Sequence, residues 1–292
     1  MISGDDHVEA VVSMVEYLAE RERQRADRVA GLAVRHEKLV AVGSESHRDL
    51  HERMAVLNRG LEERHRAAER IHTAHADRLR DWAARGLSTR PAFMASIAAM
   101  AGGPTALTLV GSGQDEAFAA ASDTVAQAAQ DLELLLSEGP MHEAVRRREP
   151  VLVRADDVGP RWPLYGPALA ELGVRSVTAV PLGSRWLCLG ALAVFEYQPD
   201  ATVDVTELGV LAEALTHSVL LAPDETGDFP YLRIFEEGSG RQELHQAIGM
   251  ISTRRGCSAD DALALLQARA YAEAQTVDAV ARRVIEREIT LD

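Results

Sequence analysis

Residues 1–87 contain no proline, and their apolar residues recur at an average spacing of 3.5: Val8, Val11, Val15 and Leu18, then Val29, Leu32 and Leu39 in the same register. That spacing suits a helix whose apolar stripe pairs with another helix. The register breaks at Gly43-Ser44-Glu45-Ser46, where glycine can close one helix and serine open the next. A second run follows with Leu50, Met54, Leu57, Leu61, Ala68, Ile71, Leu79 and Trp82. The pattern predicts an antiparallel helical hairpin or coiled coil that buries its stripe in itself, in a second copy or against a neighbouring domain. Glu22, Arg25 and Arg64 interrupt the stripes. If the hairpin turns near Ser44 they fall at one height, so they form either a paired polar layer that fixes register or a solvent-exposed gap in a short seam.

Seven of the ten histidines lie here: His7, His36, His47, His51, His65, His72 and His75. Glu62-x-x-His65 and Glu69-x-x-His72 have the spacing of the helical turn found in carboxylate metal sites, but such sites need one turn on each of two facing helices. Both turns here lie on one helix, so the histidines are read as a solvated face, with no metal ligands.

Charge separates the rest of the chain. Residues 88–236 carry 9 basic against 20 acidic residues, which would repel phosphates and argues against a nucleic-acid footprint there. No apolar run reaches the roughly 18 to 20 residues of a membrane span, and the opening MISGDDHVEA has no leader pattern, so a cytoplasmic protein with no membrane contact is expected. Cys188 and Cys257 are isolated and are read as buried free thiols. Of the 31 basic residues only Lys38 is a lysine.

Residues 88–222 change character. A helix from Ala92 to Ala101 leads through Gly102-Gly103-Pro104 to the strand candidate ALTLVG, followed by the helical stretch DTVAQAAQDLELLLSEGP and the strand EPVLVRA. After the loop DDVGPRWPLYGPALAELGV come the strands SVTAVPL and LCLGALAVFEY, joined at Gly183-Ser184, and a helix from Val205 to Leu221. The predicted architecture is α+β, with helices against one antiparallel sheet.

The ordered strings LLLSEGP, HEAVRRREPVLV, the Trp-Pro loop, LGVRSVTAVPL and GALAVFEY resemble a GAF domain of actinobacterial type over nearly 150 residues. The resemblance implies a sensor for a small molecule or a protein signal, with a pocket between the sheet and the loop-helix layer. By position Leu109, Met141, His142, Trp162, Tyr165 and Val180 are its candidate lining. The sequence itself requires no cofactor and leaves its identity, like that of the ligand, open. Met141 stands where relatives often have cysteine, which removes thiol chemistry, and a segment without lysine cannot carry the Asn-Lys-Phe-Asp-Glu signature of cyclic-nucleotide binders.

Residues 223–238 read as an irregular linker, rich in Pro, Gly and acids. Residues 239–292 predict a three-helix bundle: a first helix from a Ser239 cap to Gly256, a second opened by the capping box Ser258 to Asp261, and a third capped by Thr276. HQAIGMISTRRGCSADDALALLQARAYAEAQTVDAVARRVI resembles the ANTAR module, the RNA-binding output domain of bacterial transcription antiterminators, with Ala247, Gly249, Met250, Ala262, Leu266, Ala270 and Ala281 at the family's spacings. The resemblance implies binding of RNA stem-loops by a homodimer, with contacts from Gln246, Ala247, Gly249, Arg254, Arg255, Arg269, Arg282 and Arg283. Small residues such as Ala247 and Gly249 allow close approach of a helix or an RNA backbone. The chain departs from the family at Ile248, where many members have lysine, and the segment is slightly acidic, with 7 basic against 9 acidic residues over 237–292.

No phosphate loop, nucleophile elbow or paired carboxylate constellation is present, so a catalytic site is not expected. The sequence therefore points to a signal-responsive antitermination regulator. The alternative is a protein-protein adaptor with a degenerate bundle, whose partner docks on the GAF-like domain or the hairpin.

Overall fold

The computed structural model describes residues 4–42, 45–85, 92–111, 116–184, 186–198, 203–221 and 241–291. They form two compact units, one of residues 1–100 with 206–234 and one of residues 101–205 with 235–292.

In the first unit α1 (Gly4–Val42) and α2 (Glu45–Arg85) pair as an antiparallel hairpin. The break between them falls at the glycine-serine step, and the two helices pair within one chain. Ion pairs join them at successive heights: Arg80 with Glu16, Arg66 with Asp27 at 2.5 Å, and Arg59 with Glu37 at 2.9 Å. Helix α3 (Phe93–Ala101) and α8 (Val205–Leu215), which continues into a π turn over Thr216–Leu220, complete this unit.

The hairpin interior is more polar than its apolar spacing predicts. Val15, Leu18, Ala26, Ala33, Ala55, Ala76 and Leu79 are buried, while Leu32 (45% exposed), Leu50 (48%) and Leu57 (55%) face outward. Many of the buried positions take alanine, and the space at mid-height is filled by Glu22, which is fully buried. The expected polar layer exists, with a different partner across the seam. The Glu22 carboxylate meets Arg25 Nη1 and His65 Nδ1 at 2.7 Å each and accepts from Ser218 Oγ at 3.2 Å, whereas Arg64 Nε has no hydrogen-bond partner among the described residues. The solvated-histidine expectation fails for the same reason. His72 and His75 are buried, and His75 lies edge-on to Phe93 with centroids 5.2 Å apart. Burial lowers the His72 imidazole to about 4, so it is neutral when folded.

The second unit holds a five-stranded antiparallel sheet of order β2-β1-β5-β4-β3, with β1 (Thr105–Val110), β2 (Glu116–Ala121), β3 (Val151–Arg154), β4 (Ser176–Gly183) and β5 (Cys188–Glu196). Strand β2, EAFAAA, is not announced by its alanine-rich sequence; it forms by pairing with β1 from Ala106 opposite Ala121 to Val110 opposite Glu116. One sheet face carries Ala106, Val151, Val153, Val177, Ala179, Ala191, Ala193 and Phe195. Against it pack α4 (Thr124–Leu136), α5 (Pro140–Arg147), α6 (Ala155–Arg161) and α7 (Tyr165–Glu171), the last two folding the Trp-Pro loop. Helices α9 (Gln242–Arg255), α10 (Ala259–Glu273) and α11 (Val277–Ile285) form the C-terminal bundle. The fold class is that expected: a helical N-terminal region, a middle antiparallel sheet with helices, and a C-terminal three-helix bundle.

Candidate functional site

A cavity of about 340 Å³ opens where α4, α5 and β1 meet. Helix α4 starts at Asp123, whose carboxylate accepts from the amides of Val125 and Ala126, and stops at Ser137 in the left-handed region. On its inner face Gln130 Nε2 donates to Leu107 O at 2.9 Å and to Thr108 Oγ1 at 2.8 Å, holding the helix to β1. One turn on, the buried Glu133 carboxylate accepts from Met141 N at 3.0 Å and His142 N at 2.9 Å. It caps the first turn of α5, where unpaired amides and the helix dipole favour a negative charge. The close approach requires Gly139, at φ +148°, because a Cβ there would lie 2.3 Å from Glu133 Cγ. That contact is the physical content of the string LELLLSEGP.

The other acids at this site are also engaged. Glu138 accepts from the amides of Leu164 and Tyr165 at the start of α7. Glu143 is held by Arg161 through two bonds of 2.9 and 2.8 Å and by Arg147 at 2.8 Å; the bonds from Arg161 keep its carboxyl below the usual range. Thr108 Oγ1 lies 3.7 Å from Met141 Sδ on the cavity floor.

Of the six candidates named from the sequence, Met141, His142 and Trp162 line this cavity. Leu109 and Val180 do not. Side chains alternate along a strand, and Thr108 and Val110 are the β1 residues that face the cavity, while Val177 and Ala179 are the β4 residues on that side of the sheet. Tyr165 lies in the core, edge-on to Trp162, and burial pushes its phenol well above the usual value. His142 is half exposed, its Nδ1 3.5 Å from Glu133. Among the described residues no group of three or more His, Cys, Asp or Glu could hold a metal ion. Thr108 and Glu133 escaped the sequence reading; a glutamate inside the apolar run LELLL was the signal for the second.

The bundle closes on Leu244, Ala247, Ile251, Ala262, Leu266, Ala270, Val277, Val280, Ala281 and Val284. The Ser258–Asp261 capping box, the Thr276 cap and the left-handed Gly256 are present; the Ser239 cap lies outside the described residues. Gln246 and Gly249 sit on the exposed face of α9, and a Cβ on Gly249 would meet nothing within 4 Å. Ala247 is fully buried in the bundle core, where its small side chain serves helix packing. Arg254 and Arg255 end α9 and are exposed. Arg269 and Arg283 each meet Glu273 at 2.5 Å, and Arg282 meets Glu243 at 3.1 Å. Tyr271, the bundle's aromatic, is 66% exposed.

The ANTAR domain family matches residues 236–285. None of the curated proteins compared matches the chain. Among solved structures the chain is similar to a domain assigned to a two-component sensor histidine kinase of Sinorhizobium meliloti 1021, at 17% identity and TM-score 0.32, covering 48% of this chain and 90% of that one. It is also similar to the GAF domain of a two-component sensor histidine kinase of Bacillus halodurans, at 13% identity and TM-score 0.27, covering 39% of this chain and 76% of that one. The match to the ANTAR domain family thus falls on the three-helix bundle, and the described residues ahead of it in sequence hold the antiparallel sheet with helices expected from the sequence.

Proposed function

We propose that the chain is a signal-responsive transcription antitermination regulator, in which the cavity domain senses and the ANTAR bundle binds RNA stem-loops. The observation that carries this reading is the ANTAR match over a bundle whose first helix presents Gln246, Gly249, Arg254 and Arg255 outward. RNA affinity rests on phosphate neutralisation, and these two arginines stand at the end of α9 where cations also complement the helix dipole. The working form is a cytoplasmic homodimer that places two bundles on paired stem-loops. No described helix is long and apolar enough to cross a membrane. The role is regulatory, not catalytic.

The test is crosslinking and sequencing of bound RNA in the host, comparing the wild type with the double variant Arg254→Ala, Arg255→Ala. Stem-loops near terminators are enriched by the wild type and lost from the variant. In vitro, the slope of log affinity against log salt falls by about 1.5, at roughly 0.7 to 0.9 per phosphate contact.

A second reading, a protein-protein adaptor, is favoured by one observation: Arg269, Arg282 and Arg283 already spend their charge on Glu273 and Glu243. Under it a well-expressed protein recovers no RNA above background, and its partners are proteins.

A further inference from the structure

Helix α4 has two working faces. Gln130 and Glu133 point to β1, α5 and the cavity, as described above. About a third of a turn away, Asp131 and Leu134 point to the ANTAR bundle. Leu134 belongs to the same buried apolar cluster as Leu244, Leu266 and Val280, with Leu135 packed at its edge. The carbonyl of Leu134 and the hydroxyl of Ser137 both accept from Gln267 Nε2, at 2.6 and 3.2 Å. Arg241, at the entrance to α9 and only 7% exposed, reaches Asp131 of α4 at 2.9 Å and Asp278 of α11 with its other terminal nitrogen.

The chemistry of this contact is that of a switchable joint. One buried cation holds together two carboxylates that belong to opposite sides. Removing it leaves two like charges facing each other in a partly buried place, and the loss of the shared cation costs more than the pairing itself contributes. A bundle of about 50 residues buries little surface by itself, so the leucine supplied by α4 matters to its order. Glu133 and Leu134 are consecutive on a rigid helix, so a rearrangement that pulls Glu133 away from the α5 amides moves both faces at once.

We propose that α4 is a shared lever, latching the ANTAR bundle to the sensor through Arg241, Leu134 and Gln267, and that rearrangement of the cavity around Glu133 releases the latch. The latch itself stands on the contacts; its use as a signal rests on reading the cavity as the sensing site. Coupling of this kind is reciprocal, so a docked bundle also biases the cavity toward the arrangement in which Glu133 caps α5.

Hydrogen exchange of the full chain, read by mass spectrometry without RNA, tests both parts. Arg241→Ala is expected to raise exchange of the amides of α9 to α11 by about tenfold or more, the loss of one charge-assisted buried contact. Arg241→Lys should restore most of the protection, and Gln267→Ala, which cannot unfold the sheet, should give a smaller rise confined to α10 and the end of α4. Glu243→Gln, on the exposed side of the bundle, should leave exchange at α4 unchanged. Glu133→Gln keeps the shape of the side chain and removes an acceptor; it is expected to raise bundle exchange at a distance. Wild-type bundle exchange in both Arg241→Ala and Gln267→Ala would overturn the latch. Faster exchange at Met141 and His142 in Glu133→Gln with a bundle unchanged from wild type would overturn the coupling. RNA crosslinking that fails while these exchange patterns hold removes the antitermination reading and leaves the lever standing.

Discussion

The hairpin and the C-terminal bundle are both helical, and both use alanine where helices approach, yet they bury opposite chemistry. The bundle core is apolar from Leu244 to Val284, one buried cation, Arg241, sits at its edge, and Arg269, Arg282 and Arg283 pair outside that core. The hairpin puts Glu22, His72, His75 and Asn58 inside and leaves Leu32, Leu50, Val56 and Leu57 outside. An apolar interior holds three short helices together with little demand on register, because their caps already fix where each begins. Two helices of 39 and 41 residues can slide by a turn at small cost if only alanines touch, and a buried carboxylate with three partners penalises every wrong register. The difference is between packing for stability and pairing for uniqueness.

The largest effect should come from breaking the polar layer unevenly. Glu22→Ala leaves Arg25, His65 and Ser218 facing an empty buried site and is expected to cost about 3 to 5 kcal/mol in denaturant unfolding. Glu22→Met, close in volume, fills the site but leaves the same partners unpaired and should recover only the part of the loss that comes from the empty space; in the same titration, a methionine variant as stable as the wild type would mean that the layer contributes volume alone. In the bundle, Leu266→Ala at a fully buried position should cost about 2 to 5 kcal/mol through lost burial and the cavity left behind. Exchange of α9 to α11 amides reports it locally.

Acid should separate the two regions next. His72 falls from 6.5 to about 4 on folding because burial disfavours the imidazolium. Above pH 6.5 the folded and unfolded states bind the same number of protons at this residue, and nothing is lost. Below it the unfolded state takes up a proton that the folded state refuses, so hairpin stability declines as pH falls from about 6.5 to 4, by about 3 kcal/mol in all. His72→Phe should flatten that part of the pH profile, and a profile that stays as steep would exclude this histidine as its source. The smallest effect belongs to Gly249. Gly249→Ala fills open space on a helix face and is expected to stabilise the bundle by about 0.5 to 1 kcal/mol in thermal unfolding, while weakening any contact that needs a backbone close to that face.

The same contrast explains what could be read from the sequence. Local signals carried the bundle, because Ser258, Thr276 and Gly256 act on their own backbone within a few residues. They also carried the break after Val42 and four of the five strands. Partners from distant parts of the chain were not legible. His65 and Ser218 reach Glu22 from 43 and 196 residues away, so Arg64 looked like the natural neighbour and was one position off. Parity misplaced Leu109 and Val180: a strand exchanges faces at every residue, and an expectation shifted by one lands on the wrong side. Strand β2 had no signal of its own, since its alanines are as ready to form helix and only pairing with β1 decides. At the cavity, Met141, His142 and Trp162 carry a signal in their family spacing, whereas Glu133 acts eight residues ahead in sequence, through the backbone of another helix.

The one lysine has a practical consequence. Lys38 is exposed near the end of α1, and every other basic side chain is arginine. An amine-reactive dye attached to a lysine side chain therefore marks the far end of the hairpin and nowhere else. A lysine-to-lysine cross-link cannot form inside one chain, so each such product recovered from a digest joins two molecules and counts assemblies directly.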